Sequence, residues 1–488
     1  MDRYKNFLDG KWTDALSGGT FEDLNPANRS EVLGVFPRSD HRDIDRAVES
    51  TKACGPAWNA VSVGRRAAML NRAAVMLWDQ REEVATLLTR DTGKLLAESQ
   101  AEVDDAVAAL RSIAEDGCRL AGTLTPGGAR QGVQFTLPVP LGVAGVITHW
   151  AFPVVGALWR IASALVTGNT VVFKPAEDAP LVATRLLDIL LNAGVVPGAI
   201  SLVHGQSEEA GAPLVRHPDV DVIAFAGSAE EAREVSIACA AERRPLWVDA
   251  GERLATVVLE DAELERAVSA AVRAATCFAG QRWRGPAWIL THRKVLKEAA
   301  EQMVARLETV RLGDGLHPDT DMGPLINDTV LKRMHGHTRL ATREGARLLA
   351  GGEAFREAEC KRGYFYLPTL FGDVTPKMRI GQQENAPGLL MLLAPVSGVD
   401  EALKLLTGIR HPSTILVFTR EMERIQRAVD GMRQGSLFVN PREEGPEDRS
   451  WARYPHHRAP GSPVATSVEW KSVVLGPAEV RPPAAEAP

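Results

Sequence analysis

The chain reads as an α/β protein built from two lobes, and three features of the sequence lead there. Short apolar, β-branched runs alternate with amphipathic stretches, a second series of the same kind follows the first, and 488 residues leave room for about three units of roughly 150 residues each. Parallel strands need crossovers of about a dozen residues or more, and the intervening helical patterns supply them.

Taken in order, the N-terminal third is dominated by GRRAAMLNRAAVMLWDQREEVATLLTRDTGK (64 to 94), whose spacing predicts one long helix ended by a Gly-Lys stop. The stretch GVQFTLPVP (132 to 140) alternates and carries prolines, as an edge strand does. The first series of predicted strands is GVAGVITHW (142 to 150), NTVVFKP (169 to 175), ISLVHG (200 to 205), DVIAFAGS (221 to 228) and LATVVLED (254 to 261). Helices are predicted between them at ALWRIASALVTG (157 to 168) and LVATRLLDILLNAG (181 to 194). The second series has strands at AWILT (287 to 291), LLMLLAPV (389 to 396) and STILVFT (413 to 419), with a helix at KEAAEQMVARLETV (297 to 310). From Pro441 to Pro463 the chain is a polar, proline-rich loop without a period, and 479 to 488 reads as a disordered tail.

Composition narrows the classes of function. The net charge of -6 comes from 56 basic and 62 acidic residues in mixed order, which offers no basic stripe for nucleic acid. The five cysteines (Cys54, Cys118, Cys239, Cys277, Cys360) are scattered without a C-x-x-C pair, as in a reduced cytoplasmic chain. The opening MDRYKNFLDGKW has no apolar core of a signal peptide, and no run approaches about 18 apolar residues, so secretion and membrane spanning are not expected. His456 and His457 are neighbours in the proline-rich loop, without a third ligand at helical spacing, and predict no metal site.

The segments PLGVAGVITHWAFP, GNTVVFKPAE, DVIAFAGS, DTGK, MGPLIN, EGARLLAGG, GYFYLPTLF and GSLFVN, with FLDGKW near the start, form a collinear series. In order, spacing and content the series resembles the NAD(P)-dependent aldehyde dehydrogenase superfamily over roughly residues 7 to 475. The resemblance implies two Rossmann-like α/β lobes plus a small β oligomerisation element. It places a dinucleotide-binding domain at 1 to 119 and 141 to 251, a catalytic-type domain at 252 to 440, and the oligomerisation element at 120 to 140 with 441 to 478.

For the cofactor, NAD or NADP, the resemblance assigns Lys174 and Glu177 to the adenosine ribose, at the carboxyl end of a parallel strand where α/β ligands bind. Gly227 and Ser228, after a strand and before a helix, match the pyrophosphate position, with Ala232 where a second glycine is usual. Trp150 falls among the cofactor-contacting positions. Glu384 matches the carboxylate on the nicotinamide ribose, in a flank where Ala386 replaces an aromatic residue.

The chemistry does not carry over. Aldehyde oxidation needs a thiolate, donors for the oxyanion and a carboxylate to activate water. Counting two residues past Gly280-Gln281 lands on Trp283 where the resemblance expects cysteine, and Ala151 stands where an oxyanion-facing asparagine is expected. An indole has only a donor N–H and a methyl has none. Asp249 stands where a longer glutamate is usual, with Glu252 replacing a glycine, and is either a surviving base or a helix or loop acid without a task. Cys277, six residues before Trp283, is either a substitute nucleophile or a small hydrophobe at a helix end.

The leading expectation is therefore an inactive member of this fold, an assembly or regulatory subunit that keeps a cofactor site in part. It would pair with itself or with an active homologue through the strands at 132 to 140 and 467 to 476. Two alternatives stay open: an active NAD(P)-dependent oxidoreductase with Cys277 or with no thiol, and a dinucleotide sensor.

Overall fold

The computed structural model describes residues 2–126, 133–250, 253–282, 285–384, 386–408, 412–432, 436–441, 464 and 467–475. Trp283, Arg284, Gly251, Glu252, Asn385, His456, His457 and the terminal tail lie outside the described residues.

The chain opens with β1 (Asn6–Leu8) and β2 (Lys11–Thr13), then a hairpin of β3 (Thr20–Leu24) and β4 (Val32–Pro37). Four helices follow: α1 (His41–Asn59), α2 (Val63–Asp79), α3 (Arg81–Thr92) and α4 (Leu96–Arg119). The expected single helix over 64 to 94 is thus two, broken at Gln80, whose N–H closes the end of α2 on Met76 while its carbonyl accepts from Val84 in α3. The predicted stop holds: Gly93 ends α3 with φ +77, and a Cβ there would lie 2.6 Å from the Pro324 ring.

Next come β5 (Leu124–Pro126), β6 (Val133–Pro140), β7 (Val143–Ile147), α5 (Val155–Val166), β8 (Thr170–Lys174), α6 (Pro180–Asn192), β9 (Ile200–Leu202), α7 (Ala212–Arg216), β10 (Val222–Gly227), α8 (Ala229–Ala241) and β11 (Leu246–Ala250). The first sheet has the order β11-β10-β7-β8-β9-β1-β2, parallel from β11 to β9. Every residue of β7, β8 and α5 is buried, which explains why these segments are apolar without alternation.

The second lobe contains β12 (Arg253–Val258), α9 (Leu264–Thr276), β13 (Ala287–His292), α10 (Leu296–Glu308), β14 (Arg347–Ala350), β15 (Thr369–Gly372), β16 (Leu390–Val396), β17 (Pro412–Phe418) and β18 (Ser436–Val439). Its sheet has the order β14-β15-β16-β13-β12-β17-β18. LATVVLED, read with the first series, instead joins this sheet between β13 and β17. Apolarity marks a buried strand but does not say which sheet receives it.

A third sheet, β19-β6-β5, is completed by β19 (Val468–Leu475). Here the expected edge strand is the central one, since β6 pairs with β19 along its length and with β5 over Val133 to Phe135. The two prolines of β6, Pro138 and Pro140, fall beyond the end of β5, where the strand has one partner in this sheet, so a central position tolerates them.

Candidate functional site

The loop from Thr148 to Val154 connects β7 to α5 at the carboxyl end of the first sheet. Within it the Ala151 N–H donates to His149 Nδ1 at 3.0 Å, and the Ala151 methyl is buried. Trp150 lies tilted against His149 (4.4 Å between ring centres) and meets Phe278 edge-on at 5.9 Å. It therefore packs across to the second lobe. The Phe152 ring lies 4.5 Å from Lys94 Nζ and 5.2 Å from the Arg282 guanidinium.

Lys94 pairs with Glu102, both almost fully buried, and Phe278 adds a second ring 4.6 Å from the ammonium. The Glu102 carboxylate also accepts from the Val154 and Val155 N–H groups at 2.8 and 3.2 Å, so it holds the start of α5 as well as Lys94.

The loop opposite starts at Cys277, the cap after α9. Phe278, Ala279 and Gly280 all have positive φ (51, 49 and 71°). For two non-glycine residues this conformation is strained. It is held by the Phe278 N–H donating to Glu98 Oε1 (2.9 Å), by Gln281 Nε2 donating to the Phe278 and Pro324 carbonyls (both 3.2 Å), and by the Ile326 N–H donating to Gln281 Oε1 (2.7 Å). Gly280 is required, since a Cβ there would lie 1.9 Å from the Leu389 nitrogen. The loop is tied down again where the Gly285 N–H donates to the Ala386 carbonyl at 2.7 Å. Trp283, between these anchors, is outside the described residues.

Cys277 is half-buried at the carboxyl end of its helix, the end whose partial negative charge disfavours a thiolate. It lines a cleft of about 820 Å³ with Leu95, Glu98, Arg273, Arg306 and His317. Ala151, Asp249, Lys174, Ser228 and Glu384 do not line that cleft.

Asp249 is a strand residue on β11, not the helix or loop acid that its sequence context allowed. Its carboxylate lies 3.3 Å from the fully buried Arg160 side chain on α5. Arg160 also donates to the Gly156 carbonyl at 2.7 Å and stacks 5.3 Å from the Trp247 ring.

At the end of β8, Lys174 Nζ lies 2.7 Å from Glu177 and 3.5 Å from Ser207 Oγ, while the Ser207 hydroxyl reaches Glu177 at 3.0 Å. Burial pushes the Glu177 carboxyl up, but Lys174 and Ser207 outweigh it and hold the group below its usual range. Ser207 was not foreseen; its position after β9 is its only sequence signal. Beside this group Asn327 donates to Asp178 at 3.0 Å, joining the lobes.

Gly227 is the last residue of β10 and Ser228 caps α8, and the Ser228 donors are in use. The Ser228 N–H and hydroxyl both donate to Glu231 Oε2 (2.8 and 2.6 Å), and the Glu231 N–H donates back to the Ser228 hydroxyl at 3.2 Å. This is a capping box, and S-A-E-E in the sequence was its signal. Glu384, expected as a ribose ligand or a surface acid, lies 3.9 Å from Arg233 on α8 and 3.8 Å from Arg253 on β12.

Among the described residues no group of three or more His, Cys, Asp or Glu side chains could hold a metal ion, and no helix is long and apolar enough to cross a membrane.

Two parallel-sheet lobes around this cleft, with the small third sheet, define the aldehyde dehydrogenase fold. The aldehyde dehydrogenase family model matches residues 12–452, and the chain belongs to that family. It is 30% identical over 447 residues to alpha-ketoglutaric semialdehyde dehydrogenase of Bacillus subtilis (strain 168), covering 92% of this chain and 91% of the relative. Among solved structures it is similar to an aldehyde dehydrogenase from Bacillus cereus in an NAD+ complex (27% identity, TM-score 0.88, 97% of each chain). Its fold also matches betaine aldehyde dehydrogenase from Staphylococcus aureus with NAD+ (24% identity, TM-score 0.91, 97% of this chain and 94% of that one).

Proposed function

We propose that this family member is catalytically inactive and serves as an assembly or regulatory subunit. The observation that carries the reading is at the oxyanion position, where Ala151 presents a buried methyl and its own N–H is taken by His149. Trp283 in place of a thiol supports it from the sequence, and Asp249 sits against a buried guanidinium rather than standing alone as a base. Loss of one oxyanion donor costs about 100- to 1,000-fold in other enzymes, and loss of a nucleophile about a million-fold.

Within this reading residues 1 to 119 and 141 to 251 form the dinucleotide-type domain and 252 to 440 the catalytic-type domain. Residues 120 to 140 and 441 to 478 then form the oligomerisation element, whose outer strand edges would pair with a second copy or with an active homologue. The five free cysteines suit a reduced, cytoplasmic setting.

NAD(P) is the cofactor that similarity to the Bacillus cereus complex suggests. The adenosine end fits in residue type, through Lys174 and Glu177. The pyrophosphate end does not fit, because Glu231 occupies the Ser228 donors.

The test is absorbance at the NADH band with NAD or NADP and a panel of aldehydes, with light scattering on the same preparation. The expected result is no turnover by an oligomer, and clear turnover would overturn the reading. A second reading, oxidation through Cys277, draws on the large cleft that this thiol lines. Any turnover that survives Cys277→Ser would eliminate it.

A further inference from the structure

We propose that Glu231 is a built-in substitute anion that closes the dinucleotide cleft of this chain, so that the protein excludes NAD(P) at the pyrophosphate. The inference deepens the proposed function and rests on it for the identity of the cleft. Two independent observations meet at the start of α8. The first is electrostatic. A 13-residue helix presents positive partial charge and unpaired N–H groups at its start, the usual seat of a phosphate. Here Glu231 Oε2 takes both the Ser228 N–H and the Ser228 hydroxyl, and Glu230 adds a second acid in the same turn. A pyrophosphate arriving there would have to displace one carboxylate and lie beside another.

The second observation is steric. A glycine after a strand lets a ligand approach the backbone closely. At Gly227 that space is filled from within: a Cβ built there would lie 2.2 Å from Phe225 Cζ and 3.1 Å from Glu231 Oε2. The chain's own ring and carboxylate occupy the approach. Arg233 on the same helix lies 3.9 Å from Glu384 of the second lobe. This pair is long and partly exposed, so it adds little energy, but it engages the second carboxylate on which a dinucleotide would depend.

The test uses the full chain and calorimetric titration with ADP-ribose, with adenosine as a probe that lacks phosphate. Glu231→Gln removes the charge and keeps a capping-box side chain, so the helix start is retained; thermal melting checks the fold. ADP-ribose binding should tighten by about two- to fivefold in the variant, the range expected of one exposed charge at a helix N-terminus, and the gain should shrink at high salt. Adenosine binding should be unchanged. Equal ADP-ribose affinities in the two proteins would overturn the proposal, as would failure of the Glu231→Gln variant to bind at millimolar concentration or an equal gain for adenosine. Tight binding by the unaltered protein without NADH formation would overturn this proposal alone, whereas turnover would also overturn the inactive reading.

Discussion

The Asp249 carboxylate lies 3.3 Å from the guanidinium of Arg160, joining the carboxyl end of β11 to the interior of α5. The pair is unequal, since the arginine side chain is fully buried and the aspartate 21% exposed. Removing a partner from a buried cation costs more than removing one from an acid that water reaches. Asp249→Ala should therefore destabilise the protein by about 3 kcal/mol, near the low end for buried pairs, and Arg160→Met by clearly less. Urea unfolding of both variants checks the order; a larger loss for Arg160→Met would contradict it.

Glu102 should be the more sensitive half of the buried pair with Lys94. Its carboxylate serves the ammonium and two N–H groups of the 148–155 turn, so Glu102→Ala exposes all three to an apolar surrounding. A loss of about 3 kcal/mol or more is expected. Lys94→Met should cost less, because the carboxylate keeps Val154 and Val155. Chemical denaturation of the two variants measures this.

Asp23 and Asp91 give the stability a pH dependence. Burial pushes Asp91 up to about 6 and, with Asp91 beside it, Asp23 well above the usual carboxylate range. A carboxyl raised on folding contributes stability that is present below its unfolded pKa of about 4 and is lost as pH rises through the folded value. Asp23→Asn keeps the shape of the side chain and removes the acid. Its stability relative to the unaltered protein should therefore improve as pH rises from about 5 to about 7.5, and a gap independent of pH would contradict the assignment.

Restoring the thiol alone should not restore oxidation. Trp283→Cys leaves Ala151 without a side-chain donor, and the double variant with Ala151→Asn should exceed the single variant by about 100-fold in any NADH formation. Equal rates would show that Ala151 does not mark the oxyanion position.

How far the sequence alone reached follows from what each feature depends on. The strands at 143 to 147 and 170 to 174 were legible because strands buried on both faces are continuously apolar. The proposed exchanges at Ala151 and Trp283 rest on residue identity alone, since a methyl and an indole offer neither a thiol nor an amide. The break at Gln80 was not legible, since glutamine is a good helix former and packing set the boundary. Pairings were hidden in proportion to sequence distance: Arg160 meets Asp249 across 89 positions and Ser207 meets Glu177 across 30. Glu231 is the instructive case, because the local capping pattern was readable while its consequence for the cleft was not. The sequence by itself determined the two α/β series and the family resemblance, both of which rest on local pattern and residue chemistry. Only the tertiary structure decided which sheet took β12, which partner each charge found and what fills the space at Gly227, because burial and Coulomb attraction act between atoms that the fold, not the chain order, makes neighbours.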